Sequence, residues 1–269
     1  MYQIGLFATG RGEGSRGLLK AMGDAIQHRE LNVRISFVFC NREKGEFGPT
    51  DTFLDMVEGY DLPLVTYSYR KFRAELGDDP EWRIKYDREV MERLQKFKPD
   101  LCVLAGYLLI VGPEMCERYK MVNLHPAPPG GPIGMWQEVI WQYIEKRATL
   151  GGNTMFYVTS DLDRGPTVTY CTFPLHSPDF DPLWDAIGDR NVADLKAKEG
   201  EELPLFMLIR ENGVIRERPL VVETVKAFAE GRVSVTDRSI VDASGSRIGS
   251  GIDLTSHIEA KISGRRTHF

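Results

Sequence analysis

Short apolar runs alternate with amphipathic helical stripes along the first half of this chain. Residues 3–8 and 34–39 are rich in apolar, β-branched and aromatic residues, as strands are, while Leu18, Met22 and Ile26 recur at helical spacing between them. Parallel strands need crossover connections, which are nearly always right-handed, so this order predicts a doubly wound, mostly parallel α/β sheet. Active sites in such sheets lie at the carboxyl ends of the strands.

Two later strands should run antiparallel to each other. Residues 153–159 and 167–173 are both strand-like, and only residues 160–166 link them. Because so short a link cannot contain a crossover helix, we predict an antiparallel pair at the edge of the sheet.

The last third of the chain is predicted to be mostly helical. Residues 183–198, 205–210 and 220–229 have amphipathic helical patterns, and two strand-like pieces and a polar tail follow them. We therefore predict a catalytic domain over residues 1–232 and a short C-terminal β appendage with a tail over residues 233–269.

Charge and composition narrow the class of partner. The chain has 34 Lys and Arg against 39 Asp and Glu, a net charge of −5 and no long basic run, which argues against binding to nucleic acid or to an anionic membrane. No apolar stretch reaches the roughly 18 residues of a spanning helix, and the N-terminus lacks a signal-peptide layout. We predict a cytoplasmic protein, a monomer or homodimer, with small-molecule substrates.

The 4 cysteines of the chain have no CxxC pairing, so no metal site is expected.

Residues 12–17 have the spacing Gly-x-Gly-x-x-Gly between a predicted strand and a predicted helix. Bare backbone N–H groups at a helix N-terminus favour a phosphate, and Arg11 and Arg16 strengthen that interpretation. A structural turn and a dinucleotide site are the alternatives. A dinucleotide site usually has an acidic residue at the end of the second strand, but this chain has Cys40 and Asn41 there.

Asn123 and His125 follow a predicted strand, and strand alternation places them on the same side. An amide N–H and a protonated imidazole can both stabilise a developing oxyanion in acyl transfer. The alternative is a turn asparagine beside a buried, hydrogen-bonded histidine. The rigid, Pro- and Gly-rich residues 126–134 that follow favour a shaped site.

Asp161 and Asp163 lie in the link between the two antiparallel strands. They could build an Asx-type turn. Alternatively, one carboxylate could orient His125 and raise its pKa.

Taken together, these motifs resemble glycinamide ribonucleotide formyltransferases and the wider folate-dependent formyltransferase superfamily. The resemblance covers about residues 2–241. It rests on five segments in a fixed order, residues 12–16, 86–89 (Tyr-Asp-Arg-Glu), 98–107, 123–126 (Asn-Leu-His-Pro) and 158–166.

The resemblance implies a Rossmann-like formyltransferase fold with a catalytic trio at Asn123, His125 and Asp163. It also implies 10-formyltetrahydrofolate as co-substrate and no metal requirement. The residues expected to hold the folate are Leu104, Gly106, Tyr107, Leu108, Leu109, Ile110, Val111, Thr159, Ser160 and Asp161.

A second set of residues is expected to bind the amine substrate. The family's phosphate loop corresponds to the glycine-rich segment, and its ribose-binding glutamate has an expected counterpart in Glu211, with Glu199 as the alternative. The candidate substrate-binding residues are therefore Gly12, Gly14, Ser15, Arg16, Arg83 and Glu211.

The chain departs from the family pattern at four places. The loop after His-Pro usually continues Ser-Leu-Leu-Pro, but residues 127–130 are Ala-Pro-Pro-Gly. Phe156 replaces a usual histidine, Leu109 a usual arginine and Arg16 the common asparagine. These changes leave the formyl chemistry in place but weaken the assignment of the acceptor.

We therefore predict transfer of a formyl group from 10-formyltetrahydrofolate to a primary amine, with glycinamide ribonucleotide of purine biosynthesis as the acceptor. Sugar-nucleotide amine N-formylation and formyltetrahydrofolate hydrolysis are the alternatives within the superfamily. The hydrolases typically carry an N-terminal regulatory domain, whereas this chain begins at the first predicted strand. A non-catalytic folate- or nucleotide-binding protein is the alternative outside enzymes.

Overall fold

Strands and helices alternate along the chain as the sequence pattern predicts. The computed structural model describes residues 1–160, 165–236 and 239–266. The strands within these ranges are β1 (Tyr2–Ala8), β2 (Val33–Cys40), β3 (Leu64–Thr66), β4 (Leu101–Leu104), β5 (Met121–His125), β6 (Leu150–Tyr157), β7 (Thr167–Pro174), β8 (Val233–Thr236), β9 (Ser239–Asp242) and β10 (Ile252–Asp253). The helices are α1 (Glu13–Gln27), α2 (Gly48–Gly59), α3 (Tyr69–Leu76), α4 (Trp82–Arg93), α5 (Pro113–Arg118), α6 (Trp136–Glu145), α7 (Asp181–Ile187), α8 (Val192–Lys198), α9 (Pro204–Ala229) and α10 (Thr255–Arg266). None of these helices is both long and apolar enough to cross a bilayer.

Within the described ranges, eight strands form one sheet in the order β10-β7-β6-β5-β4-β1-β2-β3. Strands β1 to β5 are parallel, and β6 is antiparallel to both of its neighbours. The chain adds β2 and β3 on one side of β1 and then β4 and β5 on the other. The predicted fold class is therefore confirmed, and the point where the strand order reverses lies between β1 and β4.

Both faces of the sheet are buried, because strand alternation sends apolar side chains to each side. Along β1, Ile4 and Leu6 pack into a core with α1 and α9, whereas Phe7 packs with Phe37 and Tyr86 into an aromatic core on the opposite face. A further apolar cluster joins α6, α7, α8 and the start of α9. The packed helices fix the strand ends on which the site is built.

The helical C-terminal part differs in detail from the sequence prediction. Residues 183–198 form two helices, α7 and α8, because Gly188 between them has a left-handed φ of +52°. Conversely, residues 205–210 and 220–229 belong to the single 26-residue helix α9, which contains Pro219. Proline usually breaks a helix, but α9 is buried along most of its length, and this packing outweighs the lost backbone hydrogen bond.

The sequence predicted a polar tail after two strand-like pieces, and the structure forms a further strand, β10, and a helix, α10, within it. Strands β8 and β9 form a separate hairpin, while β10 pairs with β7 and becomes the edge of the main sheet in place of the antiparallel pair. Helix α10 packs on α9 through the buried Ile258 and an ion pair of 2.6 Å between Lys261 and Glu223. The predicted domain boundary at residue 232 stays a prediction.

Candidate active site

A cavity of about 480 Å³, here called the central cavity, opens at the carboxyl ends of β4 and β5 beside the start of α1. This is the point where the strand order reverses, at which open α/β sheets bind their ligands. The predicted site residues that line it are Gly14, Leu104, Gly106, Tyr107, Leu108, Leu109, Ile110, Val111, Asn123, His125, Thr159 and Ser160. Residues far apart in the sequence therefore meet in one cavity.

Strand β5 presents Asn123 and His125 to the central cavity. Asn123 lies between Leu104 on β4 and Phe156 on β6 in the register of the sheet. Both neighbours also line the cavity, so Asn123 is flanked by an apolar residue on each adjacent strand. The amide and the imidazole stand two residues apart on one side of the strand, as the sequence predicted.

The loop of residues 126–134 holds His125 in place. The Nε2 atom of His125 lies 2.8 Å from the carbonyl oxygen of Pro132. A carbonyl oxygen only accepts, so Nε2 carries the hydrogen of this bond in the neutral ring or in the imidazolium. The loop is itself fixed by Gln142, which donates to the Ile133 carbonyl at 2.9 Å, and by Thr154, which donates to the Ala127 carbonyl at 2.7 Å.

The loop of residues 104–112 forms another wall of the cavity and is fixed at both ends. The Leu108 N–H donates to Thr9 Oγ1 at 2.9 Å, and the Gly112 N–H donates to Asp87 Oδ2 at 2.7 Å. Between these points, the backbone groups of Leu109 and Ile110 make no hydrogen bond with the described residues. They are available to a ligand with alternating donors and acceptors.

Gly106 brings this loop against the first turn of α1. Its φ of +74° lies in the left-handed region, and a Cβ atom at this position would collide with Oγ of Ser15. Ser15 is only 4% exposed, so its hydroxyl is covered by the loop. Glycine is therefore required at residue 106 by conformation and by space.

The glycine-rich segment is divided by the start of α1. Gly12 is the N-cap residue, and a Cβ atom at Gly12 or at Gly14 would have no described atom within 4 Å. Gly14 lines the central cavity. The Arg16 guanidinium instead donates to the Pro49 carbonyl at 3.3 Å and pairs with Glu13 at 3.1 Å, so it is engaged beside α2.

Glu217 and Arg210 line the central cavity although the sequence analysis did not select them. Arg210 Nη1 donates to Glu217 Oε1 at 2.7 Å, and the Arg210 guanidinium lies 4.5 Å from the ring centroid of Trp136. Glu217 is 7% exposed. The seven-residue spacing, which puts both side chains on one face of a helix, was the available signal.

The two glutamates considered for ribose binding do not lie in the central cavity. Glu211 is exposed on α9, and Glu199 pairs with Arg190 at 2.8 Å. Glu211 is six residues before Glu217, and at about 100° per residue this turns the two side chains to different faces of α9. The glutamate that the structure brings to the cavity is Glu217.

Arg83 lies behind the cavity wall rather than in it. Its Nη2 atom is 3.7 Å from Oδ1 of Asp87, a carboxyl that is 2% exposed. Burial raises the pKa of Asp87 to about 6, and Arg83 and the Gly112 N–H limit the rise. Burial likewise raises the pKa of Tyr107, whose hydroxyl makes no hydrogen bond with the described residues.

Two predicted residues, Asp161 and Asp163, lie outside the described residues. Their predicted roles in folate binding and in charging His125 therefore stay predictions. Within the described residues, no group of three or more His, Cys, Asp or Glu is placed to hold a metal ion.

A family model described as formyl transferase matches residues 11–179 of this chain. The chain belongs to the formyl transferase family. The family uses formyltetrahydrofolate as a substrate, and this formyl transferase is a folate-dependent formyl-transfer enzyme.

Individual relatives agree with this membership. The formyl transferase is 28% identical over 176 residues to phosphoribosylglycinamide formyltransferase of Schizosaccharomyces pombe, an alignment that covers 62% of this chain and 81% of the relative. It is 24% identical over 152 residues to formyltetrahydrofolate deformylase of Haemophilus influenzae, which covers 55% of this chain and 48% of the relative. The alignment thus spans about half of that deformylase.

A solved structure of phosphoribosylglycinamide formyltransferase from Coxiella burnetii has the same fold. The superposition has a TM-score of 0.67 at 20% identity and covers 94% of this chain and 98% of the other. The relatives include both formyltransferases and deformylases. The formyl acceptor of this formyl transferase must therefore be inferred from its own residues.

Proposed function

We propose that this enzyme transfers the formyl group of 10-formyltetrahydrofolate to the primary amine of glycinamide ribonucleotide. The observation that carries the proposal is the meeting of Asn123 and His125 with the 104–112 loop in one cavity of about 480 Å³. A cavity of this size suits a drug-sized ligand such as a folate headgroup.

The donor would lie against the 104–112 loop. A pteridine ring is a planar array of hydrogen-bond donors and acceptors, which the unpaired backbone groups of Leu109 and Ile110 can match. Apolar side chains of Leu104, Val111 and Phe156 line the same cavity and can cover the faces of the ring. This arrangement supports a folate site in which side chains act by shape.

The chemical step is a nucleophilic acyl substitution. The acceptor nitrogen attacks the formyl carbon, and the carbonyl oxygen becomes an oxyanion that Asn123 and protonated His125 stabilise. The bond from the formyl carbon to N10 of the folate then breaks. The acceptor amine loses one proton and N10 gains one, so the products are the formamide and tetrahydrofolate. Asp163 is proposed to sustain the imidazolium and to assist this proton transfer through water.

The acceptor would enter on the side of the cavity formed by Gly14 and α9. The buried carboxylate of Glu217 can accept hydrogen bonds from ribose hydroxyls, and Arg210 can pair with an anionic group. Two hydrogen-bonding groups of opposite charge at one wall support a polar, phosphorylated acceptor.

Hydrolysis of the formyl donor is the second candidate, favoured by the similarity to a deformylase. In that case water would replace the amine as nucleophile, and formate would be released. Ala127, where the family usually has serine, is fully buried and does not line the central cavity, so this departure does not decide between the two candidates.

A steady-state assay separates the two candidates. Tetrahydrofolate release is measured with 10-formyltetrahydrofolate alone, with glycinamide ribonucleotide and with a sugar-nucleotide amine. The proposal predicts release that depends on glycinamide ribonucleotide. Release at the same rate without any amine would replace the proposal by hydrolysis, and release only with the sugar-nucleotide amine would replace the acceptor.

A further inference from the structure

A second cavity of about 320 Å³, here called the second pocket, opens at the carboxyl ends of β1 and β2. Leu108 and Leu109 line both this pocket and the central cavity, so a ligand can extend over these two residues from one to the other. The charged, amide and aromatic residues of the second pocket are Arg11, Asn41, Arg42, Phe47, Tyr69 and Arg70.

The lining of the second pocket is strongly cationic. It contains three arginines and no acidic residue, and within the described residues no carboxylate lies at ion-pair distance from any of the three. Glu46 influences Arg70 electrostatically but does not line the pocket, so it offsets the charge only in part. Arg42 is only 5% exposed, and buried arginines are normally paired with an anion.

Polar atoms in the second pocket lack partners. Asn41 is fully buried, and neither its Oδ1 nor its Nδ2 makes a hydrogen bond with the described residues. The same holds for Nε of Arg42, whose guanidinium lies 5.0 Å from the ring centroid of Phe47. Leaving buried polar groups unpaired costs stability, so such a cluster points to a ligand that supplies the missing bonds.

The glycine-rich segment contributes to this pocket in an unexpected way. The sequence suggested Arg16 as the phosphate-binding cation, but its guanidinium is engaged by Pro49 and Glu13. Arg11, from the same segment, lines the second pocket instead. Arg11 thus lines the second pocket, and neither Arg11 nor Arg16 lines the central cavity.

We infer that the second pocket binds an anionic group, either a phosphate or the two carboxylates of a glutamate, of a ligand whose remainder occupies the central cavity. Arginine forks bind both kinds of group through paired N–H···O bonds, and the Asn41 amide adds a donor that an oxyanion can satisfy. The inference rests on the proposed function only for the source of the group. That source is either the phosphate of the acceptor or the glutamate carboxylates of the donor.

The first experiment needs no substrate. Isothermal titration calorimetry measures binding of inorganic pyrophosphate to the wild-type protein, to Arg11→Ala and to Arg70→Ala. Both residues are exposed, so these variants should fold normally. Loss of one charge-assisted contact should weaken binding by roughly 10-fold or more. The matched control is Arg34→Ala, an exposed arginine near the opposite end of β2, which should bind pyrophosphate like the wild type.

The second experiment identifies the source. Dissociation constants are compared for glycinamide ribonucleotide and its phosphate-free riboside, and for a pteroylglutamate and the corresponding neutral pteroyl amide, with the same variants. The source of the group is the ligand pair in which Arg11→Ala and Arg70→Ala weaken binding of only the member that carries the phosphate or the glutamate. If Arg34→Ala weakens binding as much as the two pocket variants do, the effect is a general consequence of lowering the positive charge of the protein, and the inference is overturned. Wild-type affinity of both pocket variants for pyrophosphate and for both charged ligands would also overturn it.

The outcomes separate this inference from the proposed function. If the enzyme formylates no amine but binds pyrophosphate through Arg11 and Arg70, the proposed function is refuted and the inferred role of the second pocket stands. If Arg11→Ala and Arg70→Ala transfer the formyl group with unchanged KM for both substrates, the proposed function stands and the inferred role of the second pocket is refuted.

Discussion

Replacing Asp87 by asparagine should change how the stability of the enzyme depends on pH. Asp87 is 2% exposed, and its Oδ2 accepts the Gly112 N–H that fixes one end of the 104–112 loop. Burial raises its pKa from the ordinary 3.8 to about 6 in the folded protein. Asparagine is nearly isosteric, keeps an oxygen that can accept from Gly112 and has no charge.

The magnitude follows from this pKa difference. A tenfold change in proton affinity is about 1.4 kcal/mol, so the rise from 3.8 to about 6 corresponds to about 3 kcal/mol. The folded state holds the proton more tightly than the unfolded state. The stability from this carboxyl is therefore fully present below about pH 4 and is lost as the pH rises through about 6. Asp87→Asn should match the wild type near pH 4 and exceed it by about 3 kcal/mol at pH 7.

Urea unfolding followed by tryptophan fluorescence measures this difference at several values between pH 4 and pH 7.5. Asp55→Asn is the control, because Asp55 is an exposed residue whose side chain is 59% accessible and pairs with Lys44 at the surface. Its curve should run parallel to that of the wild type. A difference between Asp87→Asn and wild type that stays constant over this pH range would refute the argument from burial.

Three further predictions concern the candidate site. His125→Ala and Asp163→Asn should each lower kcat by at least about 100-fold in a folded protein, as measured by tetrahydrofolate release and circular dichroism. Gly106→Ala should weaken binding of a folate analogue in calorimetry, because residue 106 has a φ of +74° and the added methyl group meets Ser15. Glu217→Gln should raise the KM of the acceptor by roughly 10-fold and leave the KM of the donor unchanged, since a charged hydrogen-bond acceptor is lost from the acceptor wall; equal KM values for the acceptor would contradict the role of Glu217.

The first half of the fold was predictable because its signals are local. Strands that are buried on both faces, such as Leu101–Leu104, are continuous apolar runs, and the helices between them have clear stripes. The C-terminal part was harder because packing decides it. Pro219 signals a break that burial of α9 overrides, and α10 is anchored within a polar sequence by the buried Ile258 and by the ion pair of Lys261 with Glu223.

The candidate site divides in the same way. Asn123 and His125 sit two residues apart on one strand, so their common direction follows from alternation alone. The pairing of Arg210 with Glu217 depends on the course of a helix that the sequence suggested was interrupted. The second pocket joins Arg11, Asn41 and Arg70 from the ends of different elements, and no local pattern reports such a meeting.

The most direct test of the proposed function follows the formyl carbon itself. The enzyme is incubated with 10-formyltetrahydrofolate labelled at the formyl carbon and with glycinamide ribonucleotide, and the labelled products are separated and identified by mass spectrometry. We expect the label to enter formylglycinamide ribonucleotide and His125→Ala to slow this transfer by at least about 100-fold. Label recovered as formate, at a rate that does not depend on the amine, would contradict it.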